Sequence, residues 1–289
     1  RDSSTSRGLG DVYKRQMDMY IYGKLGNLTM TKEGINVLMT NLTGKVPPIL
    51  QRLDYIRFNG EAAGYLHDLT LTGLFHTGAG MVKTDVMMSI DEQSMSRTYS
   101  GSVASADLDL GKLLNQEKKF GKVDFNVELK GFNYKNRYPE SYIKGIISSF
   151  EYSQYQYENI MLDGVYKDGG FNGRLSMDDA NGSVQIDGNF NVAKTIPDFN
   201  LKASVKNLRP HDLHLSDKYE NASISLGLTA DFTGKSIDDM NGRISLDSLQ
   251  LNAPDEGGCF LDNLTITAGQ VSGEKELRIN SSFMTAVIR

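Results

Sequence analysis

The chain of 289 residues has one cysteine and no tryptophan. A single thiol, Cys259, excludes an internal disulfide framework. No histidine is placed near it in sequence, so it reads as a buried thiol and not as a nucleophile. The missing tryptophan speaks against a carbohydrate-binding platform and against a membrane barrel with Trp-rich girdles. Proline is scarce, six residues against 29 glycines, a balance that fits tight turns between strands better than a disordered linker. No run approaches the roughly eighteen apolar residues that a spanning helix needs. Thirty-one basic residues face 36 acidic ones without a basic stripe, which argues against nucleic-acid binding. Helical spacing persists nowhere for more than a turn or two.

What the chain has in quantity is alternation. Val123, Phe125, Val127 and Leu129 interleave with Asp124, Asn126, Glu128 and Lys130. Phe199, Leu201, Ala203 and Val205 interleave with Asn200, Lys202 and Ser204. Ile224, Leu226, Leu228, Ala230 and Phe232 interleave with Ser223, Ser225, Gly227, Thr229 and Asp231. A period of two sends every apolar side chain of a strand to one face of a sheet. The expected class is all-β: an elongated, curved antiparallel sheet with few short helices.

Turn signals recur at Gly23, Gly34, Asn59-Gly60, Gly78-Ala79-Gly80, Asp168-Gly169-Gly170, Asn181-Gly182, Asp187-Gly188, Asn241-Gly242 and Gly257-Gly258. Asn-Gly and Asp-Gly suit hairpins because both central residues tolerate positive φ. Divided at these points, the chain predicts a meander of roughly twenty strands. Short helical turns are expected near Pro47 to Leu53, started by the prolines, and at Lys112 to Lys118.

A weak internal repeat follows. Ser102-Val103, then Asp107-Leu108-Asp109-Leu110, an insert and the strand Val123 to Leu129 closing at Gly131 form one copy. Ser204-Val205, then Asp212-Leu213-His214-Leu215, an insert and the strand Leu226 to Phe232 closing at Gly234 form the second. Both copies flip the phase of alternation before the insert. Fixed-period similarity points to a stacked architecture in which each unit meets its neighbours. Twenty strands stacked at about 4.8 Å give a sheet on the order of 90–100 Å long. Such a sheet curls, so its apolar face either lines a trough or closes into a sandwich with a dry core. The sequence leaves both open.

Residues 1–16, RDSSTSRGLGDVYKRQ, resemble a translated sequencing-adaptor tail and are set aside from fold reasoning. Without their four basic and two acidic residues, 27 basic and 34 acidic residues remain, a formal charge of −7. Residues 17–289 are then expected to be one repetitive β-groove segment, a fragment of a longer protein.

Several stretches carry a resemblance to a known family. They are Tyr22-Gly23-Lys24-Leu25-Gly26-Asn27-Leu28, Leu69-Thr70-Leu71-Thr72-Gly73 and Ala106-Asp107-Leu108-Asp109-Leu110-Gly111-Lys112-Leu113-Leu114. Further on come Tyr157-Glu158-Asn159-Ile160-Met161-Leu162-Asp163-Gly164, Phe171-Asn172-Gly173 and Pro197-Asp198-Phe199-Asn200-Leu201. In style the chain resembles the AsmA-like TamB group of Gram-negative envelope proteins, particularly versions from Bacteroidota. The family's barrel-inserting C-terminal segment and N-terminal anchor have no match here. The resemblance implies a taco-like sheet with a hydrophobic groove, located in the periplasm and anchored to the inner membrane through a segment absent from this fragment. It implies phospholipid acyl chains as cargo moving between inner and outer membranes, an outer-membrane barrel assembly protein as partner, and no cofactor and no catalysis.

The residues expected to line the groove are Val123, Phe125, Val127, Leu129, Val184, Ile186, Phe199, Leu201, Val205, Ile224, Leu226, Leu228, Phe232, Ile244, Leu246, Leu264 and Ile266. The competing expectation is that they form an ordinary closed core. A second functional class, a structural or adhesive cell-surface β-solenoid, would show short and nearly equal coils. A carbohydrate-active protein would need paired catalytic carboxylates in a recognisable motif, and none stands out.

Other constellations read as structure. His211, Asp212, His214 and Asp217 lack the ligand spacing of a zinc site and follow Pro210 at a loop boundary. Asp178-Asp179-Ala180-Asn181-Gly182 lacks the terminal Glu of a calcium loop and reads as a hairpin turn. Glu117, Lys118 and Lys119 form a solvated cluster. Phe150, Tyr152, Tyr155 and Tyr157 read as cross-strand packing. Asn-x-Ser/Thr matches at Asn27, Asn41, Asn221, Asn263 and Asn280 are chance in so polar a chain. No Gly-x-Ser-x-Gly elbow is present.

Overall fold

Alternation becomes strand wherever it is sustained. The computed structural model describes residues 20–288, except 44, 45, 47, 66, 92–95, 134–139, 219, 237, 255, 256, 272 and 273. The adaptor-like segment 1–16 lies outside the described residues. The chain divides into two compact units, Arg1–Ser141 and Tyr142–Arg289. In the first, the strands are β1 (Tyr20–Thr31), β2 (Tyr55–Tyr65), β3 (Asp68–Thr77), β4 (Gly80–Asp91), β5 (Ser96–Asp109) and β6 (Phe120–Asn133). In the second they are β7 (Glu140–Tyr152), β8 (Tyr155–Lys167), β9 (Gly170–Asp179), β10 (Gly182–Asn191) and β11 (Asp198–Leu208). It continues with β12 (Ser223–Thr233), β13 (Asn241–Asn252), β14 (Cys259–Val271), β15 (Glu274–Ser281) and β16 (Thr285–Ile288). Within each unit the strand order is the chain order, and neither sheet closes into a barrel. The expected all-β class, a curved antiparallel sheet with few short helices, is what the chain adopts. Among the described residues the strand pairings within each unit are antiparallel, so the strands do not stack as successive coils of a solenoid.

The described residues hold sixteen strands and not twenty, because several expected turns lie inside elements. Asn59-Gly60 is in β2, Asp187-Gly188 is in β10 and Gly23 is in β1. Gly60 stands directly opposite Gly73 of β3. A Cβ on Gly60 would lie 2.3 Å from the Thr72 carbonyl oxygen and 2.7 Å from the tip of the Phe58 ring. The ring therefore lies across the glycine pair, an aromatic covering bare backbone. Asp168-Gly169 is a true hairpin turn, with φ of 52° and 79° at the two residues.

Helix occurs where the alternation lapses. Helix α1 (Lys32–Thr43) joins β1 to β2, against the expectation that helical spacing would not last beyond two turns. Gly34, Asn36, Thr40 and Asn41 are weak helix formers and mask the pattern. Packing supplies what propensity lacks: Ile35 is fully buried. The Thr31 hydroxyl accepts from the Gly34 N–H at 3.4 Å, capping the start. Glu33 in the first turn is held below the usual carboxylate range by a backbone hydrogen bond and then by Thr31. A 3₁₀ turn, Leu50–Arg52, falls within the predicted Pro47 to Leu53. Helix α2 (Leu110–Leu114) overlaps the predicted Lys112 to Lys118, starts under the Asp109 cap and stops at Asn115, whose φ is 56°.

The phase flips of the repeat are β-bulges. In β5 the register shifts between Ser105 and Leu108, with Asp107 at φ 58°. In β11 it shifts between Val205 and Leu208, with Asn207 at φ 47°. Each bulge amide is met by a side chain of the following strand, Asp124 for Asp107 and Ser225, at 2.8 Å, for Asn207. The geometric equivalents are therefore Leu108 and Leu208, and Leu113 and Leu213, a hundred positions apart. The Asp107–Leu110 and Asp212–Leu215 segments, similar in letters, are not in equivalent places: the first straddles a strand end and the second is an irregular turn.

Both inserts fold back across three strands toward one end of their sheet. The Arg52 guanidinium, just before β2, donates to the Leu113 carbonyl at 2.6 Å. The Tyr157 hydroxyl of β8 donates to the Leu213 carbonyl at 2.8 Å, and the His214 ring nitrogen Nδ1 lies 2.9 Å from the Ser153 carbonyl oxygen. Buried apolar side chains include Ile35, Leu53, Phe58, Leu108, Leu113 and Val123 in the first unit and Leu213, Ala222, Met240, Ala268, Ala230 and Tyr157 in the second, with Leu213 of the insert the most deeply enclosed.

Candidate functional site

The site is a face, not a cleft. Directly opposed residues of an antiparallel pair share a side, so the register fixes which side chains meet. In the second unit one row runs Leu162, Leu175, Ile186, Ala203, Leu228, Leu246 and Leu264 from β8 to β14. The next runs Gly164, Gly173, Gly188, Leu201, Ala230, Ile244, Ile266 and Ile279 from β8 to β15. A third is aromatic: Tyr166, Phe171, Phe190, Phe199 and Phe232. Phe199 stacks on Phe232 with centroids 4.7 Å apart, and Phe171 sits 5.8 Å from Phe190.

The first unit repeats the scheme. Ala62, Leu71, Val86, Gly101 and Leu129 form one row, and Phe58, Phe75, Val82, Ser105 and Phe125 another. Val127 stands opposite Val103.

Of the seventeen residues expected to line the face, Val123, Phe125, Val127 and Leu129 lie on β6 of the first unit and the other thirteen on β10 to β14 of the second. Val123 is buried beneath the α2 insert; the remaining sixteen are half-buried. They touch their cross-strand neighbours and stay reachable from outside. A sandwich core would leave such residues sealed, and among the described residues of each unit no second sheet covers them. Sequence reading missed further members of the same rows, including Phe58, Phe75, Leu71 and Val86 in the first unit and Leu162, Leu175, Met177, Phe171 and Phe190 in the second. Glycines at 73, 164 and 173 interrupt their alternation and hid the signal.

The opposite face is polar and laced with ion pairs. Arg174 of β9 lies 3.2 Å from Asp187 of β10, and Lys144 of β7 lies 3.1 Å from Asp163 of β8. The Tyr142 hydroxyl and then Lys144 hold the Asp163 carboxyl below the usual range. These exposed pairs contribute little stability, but they keep that face in water.

The remaining candidates are structural in place. Tyr155 donates to Asp179, which also accepts from the Glu158 amide of β8 and from the Asn181 amide of its own turn. Burial, then the Asp179 hydrogen bond, pushes the Tyr155 phenol up to about 12. Phe150, Tyr152, Tyr155 and Tyr157 pack on one another, with Tyr155 and Tyr157 edge-to-face at 4.8 Å. Cys259 is exposed, not buried as expected; it opens β14 opposite Leu251, where the strand pairing ends. Among the described residues no three His, Cys, Asp or Glu side chains gather as metal ligands, and no described helix is long and apolar enough to cross a membrane.

At the end of the second unit away from Leu213, the face deepens into a cavity of about 450 Å³. Its walls include Val192, Phe199, Phe232, Met240 and Ile244, with Lys235 and Ser236 just after β12. The lining is apolar apart from Lys235 and Ser236 at its edge. Compared with known proteins, the chain matches no family model, no curated protein and no solved structure.

Proposed function

We propose that the chain is a non-enzymatic module of a Gram-negative envelope whose apolar face takes up phospholipid acyl chains in transit between inner and outer membranes, or supports the assembly of outer-membrane proteins. The observation that carries this reading is the half-exposed face. It continues across β8 to β15, and among the described residues of that unit no second layer covers it. Removing hydrocarbon from water onto such a surface is favourable by about 0.8 kcal/mol per buried methylene. The rows are chemically alike from strand to strand, so a chain displaced by one strand spacing, about 4.8 Å, meets an equivalent surface. Head groups remain in water. The sequence resemblance to AsmA-like TamB proteins supports the same reading, and with it a periplasmic location, an inner-membrane anchor outside this segment and an outer-membrane barrel protein as partner.

The test is in-cell photocrosslinking from a photoreactive residue at Ala203 or Val103, followed by mass analysis of the adduct. Phospholipid adducts are expected at both positions. Leu228→Asp, opposite Ala203, and Phe125→Asp, on the face that Val103 shares, should abolish them. Adducts that persist in folded variants would defeat the groove reading.

A further inference from the structure

We infer that the cavity at the turn end of the second unit is the mouth of the apolar face, a holding site for one acyl chain of an amphiphile with an anionic head. The inference rests on the groove reading and adds a place and a polarity to it. The two ends of β11 differ. Beyond Leu208 the chain folds inward, Leu213 is fully buried and its carbonyl is tied to Tyr157, so this end is stoppered. About 30 Å away along the strand, at Phe199, the face opens into the cavity of about 450 Å³, a volume in the range of small-ligand sites.

Its chemistry is two-sided. Stacked Phe199 and Phe232, with Met240 and Ile244, make an apolar floor. Lys235 is the one charged residue among the lining and has no ion pair among the described residues. The backbone that carries it is tied down: the Asp239 carboxylate accepts from the Lys235 and Ser236 amides at 2.9 and 2.6 Å and from the Ser236 hydroxyl at 3.0 Å. Those donors occupy the Asp239 carboxylate, and the Lys235 side chain stays exposed at the cavity edge. An ammonium over an apolar pocket matches a carboxylate or phosphate joined to a hydrocarbon chain.

The experiment is fluorescence titration of the full chain with cis-parinaric acid, with palmitate, lysophosphatidic acid and hexadecanol as competitors. Saturable binding is expected, with Lys235→Glu weakening parinaric acid about tenfold and leaving hexadecanol unaffected. Val192→Trp, at an exposed wall position, should block both while circular dichroism stays that of the parent. Lysophosphatidic acid displacing better than palmitate identifies a phosphate head, and the reverse order a fatty carboxylate; either supports the site. Hexadecanol competing as well as both, or binding indifferent to both variants, overturns the site but leaves the groove standing. A parent chain that binds no probe overturns both.

Discussion

Leu213 and Leu228 differ in burial by an amount that a mutation pair can read. Leu213 is fully enclosed under the β11–β12 insert, so Leu213→Ala removes its transfer energy and leaves a cavity, a cost of about 3 kcal/mol. Leu228 is half-buried between Ala203 and Leu246. Leu228→Ala forfeits roughly half the transfer term and leaves no enclosed void, a cost of about 1 kcal/mol. At about 3 °C per kcal/mol for a unit of this size, thermal unfolding followed by circular dichroism should fall by roughly 9 °C for the first and 3 °C for the second. The comparison matters because it separates an open face from a sealed one by energetics alone. Equal losses would mean that Leu228 sits in a dry core, and the single-layer reasoning would be refuted.

Two further outcomes are expected. Gly60→Ala places a methyl group 2.3 Å from the Thr72 carbonyl oxygen and should cost about 2 kcal/mol or more in chemical denaturation, whereas Gly26→Ala, with nothing within 4 Å, should be near neutral; equal effects would undo the account of the glycine pair under Phe58. Asp239 is lowered to about 2 by the Lys235 and Ser236 amides. A depressed folded value means that its support for the 234–240 loop is complete above the unfolded carboxylate range near pH 4 and is lost as pH falls toward 2. The amide resonances of Lys235 and Ser236 should shift in that acid window and stay still in Asp239→Asn; movement near pH 5 would contradict the assignment.

Strand existence and facing were legible because one side of each sheet is apolar, and a period of two survives any local detail. Val123 to Leu129 and Ile224 to Phe232 are the clearest instances, and both are strands with the expected side inward. Turns were less legible. Asn59-Gly60 and Asp187-Gly188 carry hairpin letters, yet the same small residues serve inside strands where a neighbouring backbone or ring comes too close for a Cβ. Helix α1 was hidden because its stability comes from Ile35 packing against the sheet and not from its own propensities. The inserts were visible as interruptions, but their return across three strands was not. That path depends on a carbonyl at Leu113 or Leu213 finding a donor 61 or 56 positions earlier, and nothing in local spacing encodes such a pairing.

The chain-order pairing within each unit has a kinetic meaning. Each strand finds its partner immediately before it, so most additions close only a short hairpin, the α1 connection and the two inserts being the longer loops. Structure can then spread by zippering as the polypeptide emerges, without waiting for distant segments. The ties from Arg52 and Tyr157 come last in that sequence, since each must await a segment several strands downstream, and they act as latches on stretches already laid down.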